Sequence, residues 1–267
     1  MKDCREEWFD AENKVSVVVA DVTSAAQELA KRHLCGPVAA HYLAKGLAAA
    51  ALLGAEAAGE DETIVIQLKC TGPLGGLNVE CSSDGALRGY TEKKTLDDFD
   101  GLGGPDDTKV LGARRLQITR SVPGRLLSQG VAESLDAYVR DSLQRNAFIA
   151  LEASVSYEVE VLGARGILVE SMPDGGTLPS LKPGKLARSS RSILEALGLG
   201  RAELKRTTPL FFRCKCSPER ALATLAAIPD DERSSLPETI DITCHMCGRT
   251  YAVRTGAGAR PEESAFP

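Results

Sequence analysis

Four cysteines confined to 34 residues constrain this 267-residue chain more than any other feature. Cys214-Lys215-Cys216 and Cys244-His245-Met246-Cys247 stand 27 residues apart, a C-x-C…C-x-x-C pattern. Tetrahedral zinc takes four soft donors, each about 2.3 Å away when the donor is sulfur. One close pair supplies two ligands from a single turn, and the second pair closes the site. The pattern therefore predicts a Zn²⁺ held by Cys214, Cys216, Cys244 and Cys247, with no open position for catalysis. Between the pairs, Ser217 is placed to cap a helix through Ala227, an acidic loop follows, and Thr239–Thr243 reads as a strand. Gly248 permits a tight turn into Thr250-Tyr251-Ala252-Val253, a second strand. A thioredoxin-like dithiol at Cys244 and Cys247 is the weaker reading, because such a C-x-x-C opens a helix inside a βαβ unit. A module of roughly 45 residues has little core of its own. Structural zinc contributes about 10–16 kcal/mol of apparent binding free energy to such modules.

The other cysteines, Cys4, Cys35, Cys70 and Cys81, lack partners at metal spacing. They read as buried or incidental thiols, although Cys70 and Cys81, in strands near a turn, could form side disulfides. Disulfide frameworks serve small secreted domains, and the N-terminus MKDCREEWFDAENK has no secretory signal pattern. A reducing cytoplasm is the expected location. The longest apolar run, Leu47 to Ala58, is broken by Gly54 and Glu56 and is too short to span a bilayer. Charged residues make up 26% and apolar residues 43%, which excludes a disordered or collagen-like chain. Aromatics are only 4%, so the core must be aliphatic and alanine-rich.

The periodicities predict an α+β fold. VSVVV (15–19) reads as a strand. Thr23 or Ser24 is placed to cap a helix to about Leu34, and Gly36-Pro37 separates it from a second, Val38 to Ala58. That second helix has no clean polar face and should be buried on most sides. Ile64–Leu68, Leu77–Cys81 and Ala86–Tyr90 form an antiparallel meander, with Ser83-Asp84-Gly85 as a hairpin turn. Residues 94–108, with five aspartates, read as a solvated loop. Leu116–Arg120 reads as a strand and Val131–Asn146 as a helix. Phe148–Val155 and Val159–Met172 return to strand, with a turn assigned to Gly163–Gly166.

Domain boundaries follow from composition: a large N-terminal domain at 1–172, a linker at 173–210, a small zinc-binding domain at 211–254, and a disordered tail at 255–267. The linker holds one short helix, Ser192–Leu197, and residues 177–210 carry seven basic against two acidic side chains. That excess admits a second function class, a zinc module gripping nucleic acid. A net charge of -5, few aromatics and a near-neutral zinc segment argue against it. His33 and His41 read as structural, and His245 as an exposed loop residue. No P-loop, G-x-G-x-x-G or Ser/His/Asp order is present, so no catalytic residue is expected and the chain reads as a non-enzyme.

Three stretches carry a resemblance to a known family. They are Asp21-Val22-Thr23 through His33-Leu34-Cys35-Gly36-Pro37 to Gly46-Leu47-Ala48-Ala49-Ala50; Ile66 through Cys70-Thr71-Gly72-Pro73-Leu74-Gly75-Gly76-Leu77 to Tyr90; and Phe212-Arg213-Cys214-Lys215-Cys216-Ser217-Pro218-Glu219-Arg220 with Cys244, Cys247 and Tyr251. In this order they resemble the Hsp33 redox-regulated chaperones across roughly residues 15–254. The resemblance implies an ATP-independent holdase that is inactive when reduced and zinc-bound. It implies that peroxide or hypochlorous acid, with unfolding stress, joins Cys214 to Cys216 and Cys244 to Cys247. Loss of zinc would then unfold the C-terminal domain and linker, and a homodimer would hold unfolding client proteins. On composition and charge, no nucleic acid or membrane partner is expected. The segment between Met172 and Cys214 departs from the family in being short, basic and rich in proline.

Overall fold

The computed structural model describes residues 2–57, 59–101, 105–173, 175, 178–179, 186 and 189–255. The chain divides into two compact units, Met1–Arg213 and Cys214–Pro267.

The first unit opens with β1 (Cys4–Asp10), β2 (Val15–Asp21), α1 (Thr23–Arg32) and α2 (Pro37–Leu53), the last continuing into a 3₁₀ turn at Gly54–Glu56. Then come β3 (Thr63–Cys70), β4 (Gly76–Ser82), β5 (Ala86–Thr91), α3 (Asp97–Asp100), α4 (Asp107–Leu111), β6 (Arg114–Val122) and β7 (Arg125–Ala132). The unit closes with α5 (Leu135–Ala137), β8 (Ala147–Val155), β9 (Val161–Ser171), α6 (Ser190–Ala196), β10 (Glu203–Pro209) and β11 (Phe211–Phe212). Two sheets result, ordered β10-β1-β2-β9-β8 and β11-β5-β4-β3-β6-β7. All pairings are antiparallel except that of β11 with β5. The α+β expectation holds.

Helix α2 packs against β2, β8 and β9 of one sheet and β3, β4 and β5 of the other. That placement explains its missing polar face: fourteen of its seventeen residues are buried. Alanines at Ala44, Ala48 and Ala51 and Gly46 let both sheets approach the helix closely. A Cβ on Gly46 would meet Leu77 Cδ1 at 3.1 Å and Val79 Cγ1 at 3.2 Å. Residues Pro37–Glu56 are long and apolar enough to cross a membrane, but 83% of that window is buried within the protein.

No basic residue lies in the last turn of α2. Its unpaired carbonyls, at the negative end of the helix dipole, receive arginines from elsewhere. Arg5 donates to Ala51 O (3.1 Å), Arg206 to Ala55 O (3.1 Å) and Arg120 to Glu56 O (3.0 Å). Arg145 pairs with the Glu56 carboxylate at 2.5 Å.

Strand β2 is apolar on both faces because both are covered. Val18 and Ala20 join the core around α2. Val15, Val17 and Val19 face outward with Trp8, Ile167 and Val169, where Ile193, Leu194 and Leu197 of the α6 segment cover them.

Several expectations are corrected. Residues 203–209, assigned to a linker, form β10, which pairs with β1 from Cys4↔Pro209 to Phe9↔Glu203. The boundary between units lies after Arg213 rather than at 210/211. The described basic residues of that stretch are engaged: Arg201 with Glu12, Lys205 with Glu203, Arg206 with Glu7, and Arg191 with Gly200 O, Ala202 O and the Trp8 ring. Lys182, Lys185 and Arg188 lie outside the described residues.

Helix α1 is capped by neither Thr23 nor Ser24. The Asp3 carboxylate accepts from the backbone N–H groups of Ser24 (3.0 Å) and Ala25 (2.8 Å). The expected helix 131–146 is instead the end of β7, α5 and a π-turn at Tyr138–Ser142. Gly163–Gly166 lie inside β9, and the turn before it is Ser156–Glu160. The 94–108 loop contains α3 and part of α4. The tail beyond Thr255 lies outside the described residues.

The second unit holds α7 (Pro218–Ala226), α8 (Asp230–Arg233) and a hairpin of β12 (Thr239–Thr243) with β13 (Thr250–Arg254). Ser217 caps α7 as expected, its Oγ accepting from Arg220 N at 3.3 Å.

Candidate metal centre

The two cysteine pairs enter the site on different kinds of backbone. Cys214 and Cys216 lie in the extended segment that runs into the cap of α7. Cys244 and Cys247 lie on the turn joining β12 to β13. There Cys247 N (3.3 Å) and Gly248 N (2.8 Å) donate to Cys244 O, and Cys244 N donates to Arg249 O at 2.8 Å. Gly248 adopts φ 72°, the left-handed region where a side chain is disfavoured, which closes the knuckle. The Met246 and Arg249 amides favour the thiolate forms of Cys244 and Cys247 respectively.

These turns bring all four Sγ atoms within 4.8 Å of one another. Cys216 Sγ and Cys247 Sγ are 3.4 Å apart, and Cys214 Sγ and Cys244 Sγ are 3.8 Å apart. A regular tetrahedron with about 2.3 Å metal–sulfur bonds has edges of about 3.8 Å. The quartet therefore has the dimensions of a four-thiolate site and could hold a metal ion.

Electrostatics point the same way. Burial, and next the neighbouring Cys214, push the Cys244 thiol above its ordinary range. The hydrogen bond with Cys214, and next burial, push Cys247 up further. Four sulfurs this close do not ionise together without a cation between them. The apolar support is small: among the described residues of the second unit, Ala221, Leu225, Tyr251 and Val253 form the buried cluster, with six half-buried side chains including Leu222, Ile240 and Ile242 packed on it. A cation, if bound by the sulfurs, would add cohesion to this small cluster.

A pH dependence follows. At neutral pH the raised thiols are protonated in the metal-free protein, and each must release its proton to bind a cation. With at least two protons released, the apparent affinity for an added cation such as Zn²⁺ is expected to fall at least about a hundredfold per unit of acidification below neutrality. Competition against a chromophoric chelator at several pH values measures that slope.

The other cysteines and the histidines singled out in the sequence fall elsewhere. Cys35 and Cys81 are buried, and Cys4 and Cys70 are half-buried; all eight cysteines are free thiols. Burial pushes the Cys81 thiol up to about 11. His33 is structural, its Nε2 lying 2.9 Å from Gly89 O. His41 is half-buried on α2, and burial pushes it down to about 4. His245 is exposed. Tyr251 was read as a strand residue and as part of the family resemblance, with no role at the site, yet its hydroxyl donates to Cys216 Sγ at 3.2 Å. The available signal was its alternation with Val253, which turns both side chains inward beside the knuckle.

Fold and site together define a two-unit α+β protein with a four-cysteine centre confined to the smaller unit. The family profile described as Hsp33 protein matches residues 7–254, and the chain belongs to the Hsp33 family. A 33 kDa chaperonin of Thermus thermophilus is 29% identical, over 90% of this chain and 81% of that protein. A 33 kDa chaperonin of Desulforamulus reducens is 28% identical, over 94% of each. The crystal structure of the 33 kDa chaperonin (heat shock protein 33 homolog) from Thermotoga maritima shares the fold, with a TM-score of 0.81 over 96% of each chain at 17% identity.

Proposed function

We propose that this chain is an ATP-independent holdase chaperone switched on by oxidation, with Zn²⁺ as the resident ion of the Cys214–Cys216–Cys244–Cys247 centre. The observation that carries this reading is the sulfur quartet in a unit whose described residues form one small buried apolar cluster. When bound, the ion keeps the sulfurs as thiolates and ties the C-x-C segment to the knuckle. Thiolates are the forms that peroxide attacks.

Every sulfur is within reach of the others in the reduced site. Once it opens, the chain still tethers Cys214 to Cys216 and Cys244 to Cys247, which favours those two disulfides. Sulfurs joined in pairs no longer hold a cation, and the small unit loses its main source of cohesion. The α6 segment, upstream of β10 and β11 in the first unit, is the next to respond. There α6 covers the outward face of the five-stranded sheet, including Trp8, Val17, Ile167 and Val169. Uncovering such an apolar face gives unfolding client proteins a surface to bind. A holdase of this kind binds the non-native client and needs no nucleotide.

We assign the active form as a homodimer in the cytoplasm, without a catalytic residue. Engagement of Arg191, Arg201, Lys205 and Arg206 within the first unit argues against a nucleic-acid role for the basic stretch.

The test is metal content and free-thiol count before and after peroxide, alongside an aggregation assay. One zinc per chain, four thiols lost with it, and aggregation suppression only afterwards are expected. Equal suppression by reduced and oxidised protein overturns the switch.

A further inference from the structure

The four sulfurs are not equivalent. Cys216 accepts a hydrogen bond from Tyr251 Oη at 3.2 Å. Tyr251 is only 6% exposed, and its ring packs with Ala221, Leu225 and Val253. Its hydroxyl is thus positioned by packing, independently of the sulfur. The Arg249 guanidinium interacts with the same hydroxyl. A guanidinium can only donate, so it does not compete for the phenol proton, which goes to Cys216. Residues 249 and 251 reach the centre from β13 and the turn before it, and Ile242↔Tyr251 pairing on β12 fixes that strand's register.

We propose that Tyr251, held by its packing and with the Arg249 guanidinium beside it, is a positioning residue that tunes the Cys216 sulfur and thereby sets how tightly the centre holds its metal and how fast peroxide dismantles it. The inference rests on the metal-centre reading above. A donor aimed at a ligating sulfur draws on its lone-pair density and holds its orientation. Outer-shell partners of this kind change metal affinity by about 10–100-fold when removed. The same donation makes the sulfur a poorer nucleophile.

In the oxidation, hydrogen peroxide takes two electrons from one thiolate, leaving a sulfenic acid and hydroxide. A second thiolate then attacks that sulfur, and hydroxide leaves as the S–S bond forms. Withdrawing density from Cys216 slows its part in either step. Tyr251 and Arg249 therefore act as a brake on the switch.

The experiment compares the full-length, zinc-loaded chain with Tyr251→Phe, which keeps the ring and removes the donor. Three readouts are taken: zinc affinity by chelator competition, zinc release after hydrogen peroxide, and modification of each cysteine by timed alkylation and mass spectrometry. The Phe variant is expected to bind one zinc with about 10–100-fold lower affinity. It should release the ion several-fold faster, with Cys216 modified earlier than in the unaltered chain. Equal affinity and equal Cys216 kinetics in a zinc-loaded Phe variant overturn the tuning role alone; an unaltered chain that binds no zinc overturns the metal reading as well. Should Tyr251→Phe not fold, Arg249→Gln decides: it leaves the phenol in place and is expected to shift the same readouts in the same direction by less. An Arg249→Gln chain that matches the unaltered one also overturns the proposal.

Discussion

Replacing Cys247 by serine is expected to unfold residues 214–255 while the first unit stays intact. Cys247 is 2% exposed, and its sulfur is 3.4 Å from that of Cys216. Serine offers a poor ligand at the same place and leaves a hydroxyl buried among thiols. Among the described residues of that unit the buried cluster is four side chains with six half-buried ones packed on it, too few to offset the ordering of some forty residues. Metal binding worth about 10–16 kcal/mol in comparable modules is the contribution that would be lost. Hydrogen exchange followed by mass spectrometry separates the two units. Fast exchange throughout 214–255, with unchanged protection in α2 and β9, is the expected pattern. Retained protection around β12 and β13 would show that the sulfurs do not hold the unit together.

A double substitution, Ile193→Ala with Leu194→Ala, is expected to give aggregation suppression without any oxidant. Both side chains are fully buried against the outward face of the five-stranded sheet. Each truncation of this kind costs about 2–5 kcal/mol. Helix α6 has only seven residues and no means of persisting unless docked. The covered face contains Trp8, the only tryptophan, with the Arg191 guanidinium 4.8 Å from its ring centre. A red shift of its emission should therefore accompany the gain of client holding in the reduced, zinc-loaded variant. A shifted emission with no gain would place the client surface elsewhere.

What was legible in the sequence was local. Ser217, the α7 segment, Gly248 and the two cysteine pairs act over a few residues each, and the second unit formed as those signals indicate. The meander of β3, β4 and β5 was likewise readable from alternation and the Ser83-Asp84-Gly85 turn. Elements whose reason lies far away were not. Strand β10, ELKRTTP, is almost wholly exposed and has no apolar period; its partner β1 is some 200 residues earlier. Strand β1 was hidden for the same reason, since its Arg5 is charged yet 1% exposed, satisfied by Ala51 O and Thr208 Oγ1. The α1 cap came from Asp3, twenty residues upstream. In the metal centre the four sulfurs were readable from spacing, whereas the Tyr251 hydrogen bond depends on a strand facing inward.

Only Leu210 separates β10 from β11, yet the two strands belong to different sheets. This short run works as a stitch through both halves of the N-terminal body. Any fragment meant to isolate that body must therefore extend through Phe212. A chain truncated near residue 172 would leave Cys4–Asp10 with one flank bare and the Phe212 ring missing from beside Arg32. Such a fragment should self-associate for reasons unrelated to oxidation.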